Sequence, residues 1–243
     1  MVWSWIPGNL GLIGQLTRQN AYIGIVSAVV GMVIAVPLGI ASARWQWLYP
    51  PVLSGANVIY ALPSLALFVA LIDYTGLSET TVIIPLTLFS LVVILPNVVD
   101  GLRSVPDDVR QAATAMGFGP LRRLAQVELP LAVPVIIAGM RVATVSSISL
   151  VSVGQLIGIG GLGYLFTDGL ARDFPTEIYV GLILIIVLAL TCDLLLVLAR
   201  RVLTPWQRDG QSRGDAATRL ASPAVQTEPP PRAGQAPLSG SVP

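Results

Sequence analysis

The 243-residue sequence contains no histidine, no lysine and only one cysteine. Without histidine, a Ser-His catalytic dyad, a histidine-ligated zinc ion and histidine acid–base chemistry are all excluded. A single cysteine cannot form a disulfide within the chain, and we interpret Cys192, which falls in an apolar run, as a small buried residue. The phosphate-binding loop of many nucleotide hydrolases needs a lysine, so the chain has no such loop. The chain therefore cannot hydrolyse ATP through such a loop.

Charged residues are also scarce. They make up 11% of the sequence, whereas 54% of the residues are hydrophobic and the mean hydropathy is +0.77. A soluble globule of this size needs far more polar surface, so the composition predicts an integral membrane protein. The net charge is only +1, and the basic residues, all arginines, are spaced along the chain rather than gathered in a patch. The sequence therefore does not indicate a nucleic-acid partner.

Long apolar runs predict an all-α membrane protein with five transmembrane helices. The predicted spans cover residues 21–43, 50–72, 80–100, 132–154 and 178–199, within a membrane domain of residues 21–204. Pro63 interrupts the second run, which predicts a span that is bent near its middle.

The two ends of the chain differ from this membrane domain in composition. Residues 1–20 contain tryptophans of the kind found at membrane interfaces and no basic residue before Arg18, so they are interpreted as a retained, external interfacial segment. Residues 209–243 are rich in Pro, Ser, Ala, Gln and Gly and are predicted to form a disordered cytoplasmic tail.

The distribution of arginines predicts the orientation, because short cytoplasmic loops retain an excess of basic residues. The side opposite the arginine-rich one has only Arg18 and Arg172. This pattern predicts an external N-terminus and a cytoplasmic C-terminus. The arginines of the predicted cytoplasmic side are Arg44, Arg103, Arg110, Arg122, Arg123, Arg200, Arg201 and Arg208.

A polar segment, residues 103–130, separates the third and fourth spans. Ser104 and Asp107 have the spacing of a capping box, and Asp107 and Asp108 favour a helix start. Gly117 suits the left-handed residue at a helix C-terminus. A second helix is predicted to begin at Gly119-Pro120 and to end at Leu129-Pro130. The segment is therefore predicted to form a short helix-turn-helix at the membrane surface.

At these residues the sequence resembles the permease subunits of binding-protein-dependent ABC importers. Their cytoplasmic loop reads Glu-Ala-Ala, three residues, Gly, nine residues, Ile, one residue and Leu-Pro. This chain keeps both spacings, with Gln in place of Glu and Val in place of Ile. The matching residues are Gln111, Ala112, Ala113, Gly117, Val127, Leu129 and Pro130.

Other phrases are similar to the branch of this family that imports osmoprotectants. They begin at Ala61, Gly101, Ala138 and Gly158. The resemblance implies a permease that moves glycine betaine, carnitine, choline or proline-betaine across the cytoplasmic membrane. A methionine-type or other small-solute importer remains an alternative within the family.

The resemblance also implies a set of partners. These are two copies of a cytoplasmic ATPase that bind ATP and Mg, a second permease that is a copy or a paralogue, and an external solute-binding protein. The chain itself, embedded in lipid, would bind no cofactor and no metal. Met116, Phe118 and Gly119, with Gly117, would form the turn that docks into the ATPase, although the loop could instead merely cap the helix bundle.

Several residues outside the loop are candidates for a solute pathway or an outer gate. The glycine-rich run after residue 157 is either a gate or docking edge, or a flexible turn. The hydroxyls of the fourth span either line a polar path or serve helix packing. The candidate residues are Pro63, Ser64, Ser147, Gln155, Gly160 and Gly161.

Arg141 is placed within the fourth span, about 10 Å from the cytoplasmic side at 1.5 Å per residue. Asp193 reaches a similar depth on the fifth span, which runs in the opposite direction. We therefore predict a structural ion pair between Arg141 and Asp193. Asp100 is the second candidate partner, and a role for Arg141 in binding solute is the alternative interpretation.

Two other classes of protein compete with a permease subunit. An intramembrane enzyme is disfavoured by the absence of histidine and of an aspartyl-protease motif, so no catalytic residue is predicted. An autonomous channel or a non-transporting membrane scaffold remains open. A channel would conduct without nucleotide, whereas a permease subunit would transport only with ATP and its ATPase.

Overall fold

The computed structural model describes residues 4–205, and within this range the regular elements are all helical. The all-α prediction is confirmed. The predicted tail, 209–243, lies outside the described residues. The helices are α1 (Trp5–Gly8), α2 (Leu10–Arg44), α3 (Tyr49–Ala61), α4 (Ser64–Thr75), α5 (Glu79–Arg103), α6 (Asp107–Ala115), α7 (Pro120–Arg123), a π-helix (Leu124–Glu128), α8 (Leu129–Val151), 3₁₀ turns (Ser152–Ile157 and Gly161–Gly163), α9 (Tyr164–Ala171) and α10 (Pro175–Leu203).

Within residues 4–205, four helical stretches are long and apolar enough to cross a membrane: α2, α5, the run Pro120–Ile157 and α10. The first span differs from the prediction, because α2 begins at Leu10 and not near residue 21. Its 35 residues extend for about 52 Å, which exceeds the ~30 Å hydrocarbon core. The polar residues from Thr17 to Asn20 therefore belong to this helix and not to a separate interfacial segment.

Helices α3 and α4 form a fifth candidate for a crossing, as a pair that is bent by 93° at Leu62-Pro63. Leu62 has an extended backbone, which places the bend at the residue before the proline. Helices α2 and α5 run parallel, since Gly31 packs on Ser90 and Gly39 packs on Val98. Parallel neighbours can be joined only by a segment that returns across the bundle, so α3 and α4 together cross it.

Helices α2, α5 and α8 form the centre of the bundle, and small residues let them approach closely. A Cβ atom at Gly31 would lie 2.7 Å from Ser90 Cβ, and one at Gly39 would lie 2.5 Å from Val98 Cγ1. On α8, a Cβ atom at Gly139 would lie 2.7 Å from the Asn97 side chain. Glycine at these positions permits the tight backbone packing on which membrane helix pairs depend.

The ends of the helices define two faces of the bundle. The loop face carries the C-termini of α2, α5 and α10 together with the polar segment 103–130. The opposite face carries the loop between α4 and α5, the glycine-rich run and the start of α10. Because α8 runs antiparallel to α5 and α10, Arg141 and Asp193 lie at the same level between the two faces.

Two details of the polar segment differ from the prediction. Ser104 does not cap α6, because its hydroxyl donates to the Gly101 carbonyl, and Pro106 occupies the N-cap position. Leu129-Pro130 does not end the second helix, which continues from α7 through the π-helix into α8. Proline has no N–H to donate to the preceding turn, and the wider π turn just before it accommodates the changed hydrogen-bond register.

Candidate coupling site

The turn between α6 and α7 is a complete Schellman motif. Gly117 has φ +81°, its N–H donates to the Thr114 carbonyl at 2.9 Å, and the Phe118 N–H donates to the Ala113 carbonyl at 3.1 Å. These two bonds satisfy carbonyls that would otherwise end the helix without partners. The turn is therefore a fixed structure set by one glycine.

The tip of this turn presents apolar side chains to the outside of the chain. Met116 is 69% exposed and Leu121 is 80% exposed. The guanidinium of Arg122 lies 4.5 Å from the centre of the Phe118 ring, which holds this ring against the first turn of α7. An exposed apolar tip on a polar helix pair is the kind of surface that a partner protein covers.

Hydrogen bonds tie the helix pair to itself and to the membrane bundle. Arg123 donates to Glu128 at 2.8 Å and to the Thr114 hydroxyl at 3.1 Å, which joins α6 to the π-helix. Arg110 donates to the Leu102 carbonyl at 2.7 Å, which joins α6 to the end of α5. The helix pair is therefore tied by side-chain hydrogen bonds to α5 and to the π-helix that leads into α8.

The other residues of the loop motif divide by exposure. Gln111 and Ala112 face outward on α6, together with the surface of Gly117 and Gly119. Ala113 is buried, with 1% of its surface exposed. Three apolar motif residues are half-buried where the π-helix meets α8: Val127, Leu129 and Pro130.

The side chains of Arg141 and Asp193 meet in a two-pronged ion pair. Arg141 donates from Nε to Oδ1 and from Nη2 to Oδ2 of Asp193, each at 2.7 Å. The exposed fractions of the two side chains are 33% and 26%, and an open groove of about 510 Å³ lies over them. Arg141 is therefore paired with Asp193, whereas Asp100 lies exposed at the loop-face end of α5.

The candidate gate residues fall into separate places. Pro63 and Ser64 start α4, which packs against the 3₁₀ turn that contains Gln155. Gly160 is buried beside Gln155, since a Cβ atom at Gly160 would lie 2.2 Å from the Gln155 backbone nitrogen. Gly160 is thus packed closely against the backbone of this 3₁₀ turn.

The hydroxyls of the fourth span bond to helices. Ser147 is 2% exposed and lies 3.0 Å from the Ser90 hydroxyl of α5. Thr144 and Ser149 donate to the carbonyls four residues earlier, at Met140 and Val145. These contacts are of the kind that the helix-packing interpretation expects.

The sequence does not single out Asn20. This residue of α2 is fully buried against α8 and the glycine-rich run. Its Nδ2 donates to the Ile148 carbonyl at 3.1 Å, and its Oδ1 accepts from the Leu162 N–H at 3.3 Å. Gly161, with φ +49°, leaves no room for a side chain, because a Cβ atom would lie 2.8 Å from Asn20. In the sequence Asn20 is the last residue of a polar run, Thr17 to Asn20, and nothing local distinguishes it from its polar neighbours.

Comparison with known proteins assigns the chain. The model of the binding-protein-dependent transport system inner membrane component matches residues 35–209, which include helices α3 to α10 in full and the end of α2. The chain belongs to this family. It is therefore a membrane component of a transport system and not an enzyme.

Relatives cover most of the chain. The osmoprotectant import permease protein OsmW of Salmonella typhimurium LT2 is 34% identical over 81% of this chain and 94% of its own length. The choline transport system permease protein OpuBB of Bacillus subtilis 168 is 33% identical over 83% and 93%. The carnitine transport permease protein OpuCD of Listeria monocytogenes is 37% identical over 77% and 82%.

Solved structures share the fold. A chain of the MetNI methionine ABC transporter in an inward-facing conformation superposes with a TM-score of 0.71 at 22% identity, over 84% of this permease and all of that chain. A chain of an amino acid ABC transporter gives a TM-score of 0.64 at 17% identity, over 83% and 98%. These similarities confirm the importer permease fold.

Proposed function

We propose that this permease is the transmembrane subunit of an ATP-driven importer for a small compatible solute of the glycine betaine, carnitine or choline type. The proposed coupling to ATP rests on one observation. The α6–α7 unit is a rigid helix pair that has an exposed apolar tip and is tied to α5 and α8. The solute class rests on the relatives, which are named for osmoprotectant, choline and carnitine transport.

In this proposal the tip of the α6–α7 unit docks on a cytoplasmic ATPase. Met116, Gly117, Phe118 and Gly119 enter the ATPase, and Gln111 and Ala112 form the outward face of α6. Two ATPase copies, with ATP and Mg bound to them, act on two permeases, and an external solute-binding protein delivers the solute. The loop face is cytoplasmic, since Arg44, Arg103, Arg110, Arg122 and Arg123 all lie there.

High-affinity recognition of the solute is assigned to the binding protein. Quaternary ammonium groups are held by cages of aromatic rings. In the described residues the ring contacts join two separate pairs, Tyr60 with Phe89 and Trp5 with Phe174. Such pairs do not build a cage, so the permease supplies a path and not the tight site.

The test is solute uptake by proteoliposomes that contain this permease, its ATPase and its binding protein. We expect uptake of radiolabelled glycine betaine, carnitine or choline only when ATP and Mg are enclosed with the ATPase. Uptake of methionine but of none of these three would replace the solute class by the methionine type. Solute flux that is independent of nucleotide would identify a channel.

A further inference from the structure

A cavity of about 370 Å³ opens at the loop face between the ends of α2 and α5 and the α6–α7 unit. Its lining combines arginines with two acids and several apolar side chains. Four arginines line it: Arg44, Arg103, Arg110 and Arg123. The two acids are Asp107 and Glu128, so the lining carries an excess of positive charge.

The acids are already used by two of the arginines. Arg123 pairs with Glu128 at 2.8 Å, and Arg110 contacts Asp107 at 3.4 Å. Within the described part of the chain, Arg44 and Arg103 have no carboxylate partner. The buried Nε of Arg110 also lacks a hydrogen-bond acceptor. The cavity thus offers two uncompensated guanidinium groups to an anion.

The cavity lies where the membrane meets water. Arg44 is the last residue of the apolar helix α2, and Gln46 of the lining sits between Trp45 and Trp47, which are 53% and 75% exposed. Tryptophan and tyrosine gather at the level of lipid headgroups. The ring of Tyr49 lies 4.9 Å below the Arg103 guanidinium and holds it in place.

We propose that this cavity binds the phosphate of an anionic phospholipid headgroup. Guanidinium groups suit phosphate oxygens in charge and geometry, and basic pockets between membrane helices bind anionic headgroups. The apolar part of the lining, which includes Ile40, Ala43 and Leu124, gives room to the first atoms of the acyl chains. The bound lipid would join α2 and α5 to the base of the α6–α7 unit, independently of which solute is transported.

The test is lipid binding to the purified complex of permease and ATPase, measured by native mass spectrometry. Dioleoyl phosphatidylglycerol is titrated against dioleoyl phosphatidylcholine, whose headgroup has the same phosphate but no net charge. We expect selective binding of phosphatidylglycerol, with an affinity about fivefold lower for each of Arg44→Gln and Arg103→Gln. The matched control is Arg201→Gln, which removes one exposed arginine from the same face outside the cavity and should leave the affinity unchanged.

Four results would overturn the proposal: equal binding of both lipids, unchanged affinity in both cavity variants, an equal loss in Arg201→Gln, or displacement of the lipid by glycerol 3-phosphate. The last result would identify a free phosphate compound as the ligand. The double variant Arg44→Lys/Arg103→Lys keeps both positive charges, and the complex should still assemble. It replaces the planar guanidinium groups, which can each donate two parallel hydrogen bonds to phosphate, by ammonium groups. It should bind phosphatidylglycerol with intermediate affinity.

Discussion

Arg141 and Asp193 form an ion pair that lowers the free-energy cost of placing a charged side chain within a membrane span. An arginine at this depth is expensive alone, and the two parallel hydrogen bonds to Asp193 offset much of this cost. The pair is partly exposed to the groove over it, so its loss should cost less than the about 3–5 kcal/mol measured when fully buried pairs are broken.

We expect Arg141→Ala to lower the recovery of the assembled complex severalfold, because it leaves Asp193 without a partner. The charge swap Arg141→Asp with Asp193→Arg should recover more complex than either single change. Recovery is measured by size-exclusion chromatography of detergent extracts, with solute affinity as the second readout. A swap no better than the singles, together with an Arg141→Ala variant that assembles normally but binds solute differently, would place Arg141 in the solute pathway.

The level of Arg141 could be predicted from the sequence, whereas the role of Asn20 could not. Counting residues from the ends of two antiparallel spans gives depth, because the helical rise is constant. Arg141 and Asp193 are placed at similar levels in this way, and in the structure their side chains meet. Asn20 contacts residues more than 100 positions away in sequence. Such a contact depends on tertiary packing that a local pattern does not contain.

At the scale of an element, the glycine-rich run is held by close backbone packing. Gly158 and Gly161 both have positive φ, at +85° and +49°, but only Gly161 is crowded, with Asn20 2.8 Å from the position of a Cβ atom. Gly161→Ala should therefore destabilise the complex more than Gly158→Ala. Both variants place an alanine at a positive φ, but only Gly161→Ala also brings a Cβ atom into contact with Asn20. Melting temperatures of the two purified variants make the comparison. Equal shifts would contradict the packing of this run against α2.

The polar segment shows where local signals mislead at this scale. The Ala-rich sequence and Gly117 correctly predict a helix and its left-handed end. The prediction that Pro130 ends the next helix is wrong. Pro130 has no backbone N–H, and a single π turn just before it changes the hydrogen-bond register so that the helix continues into α8. The start of α2 at Leu10 was missed for a related reason. The polar residues Thr17 to Asn20 do not interrupt α2, because polar side chains are compatible with a helix that extends beyond the hydrocarbon core.

At the scale of the whole molecule, we expect an odd number of crossings, with Ser4 and the loop face on opposite sides of the membrane. We expect Ser4→Cys, in a Cys192→Ala background, to react with a membrane-impermeant maleimide in intact spheroplasts. Met116→Cys in the same background should react only after the membrane is permeabilised. Labelling of both sites in intact spheroplasts would show that the bent pair α3 and α4 does not cross, and labelling of Met116→Cys alone would reverse the orientation.

The exposed tip of the α6–α7 unit is where the permease is proposed to contact the ATPase, so a substitution there tests the proposed coupling most directly. Met116→Asp introduces a charge into a side chain that is 69% exposed, so the fold should be kept while the apolar contact with the ATPase is lost. Val202→Asp is the control, because Val202 is 78% exposed at the loop-face end of α10 and outside the α6–α7 unit. ATP-driven solute uptake is measured in proteoliposomes with equal amounts of each variant. Uptake should be at least about tenfold lower for Met116→Asp, the equivalent of about 1.4 kcal/mol, and near normal for Val202→Asp. Normal uptake by the Met116→Asp variant would show that the tip does not couple the permease to the ATPase.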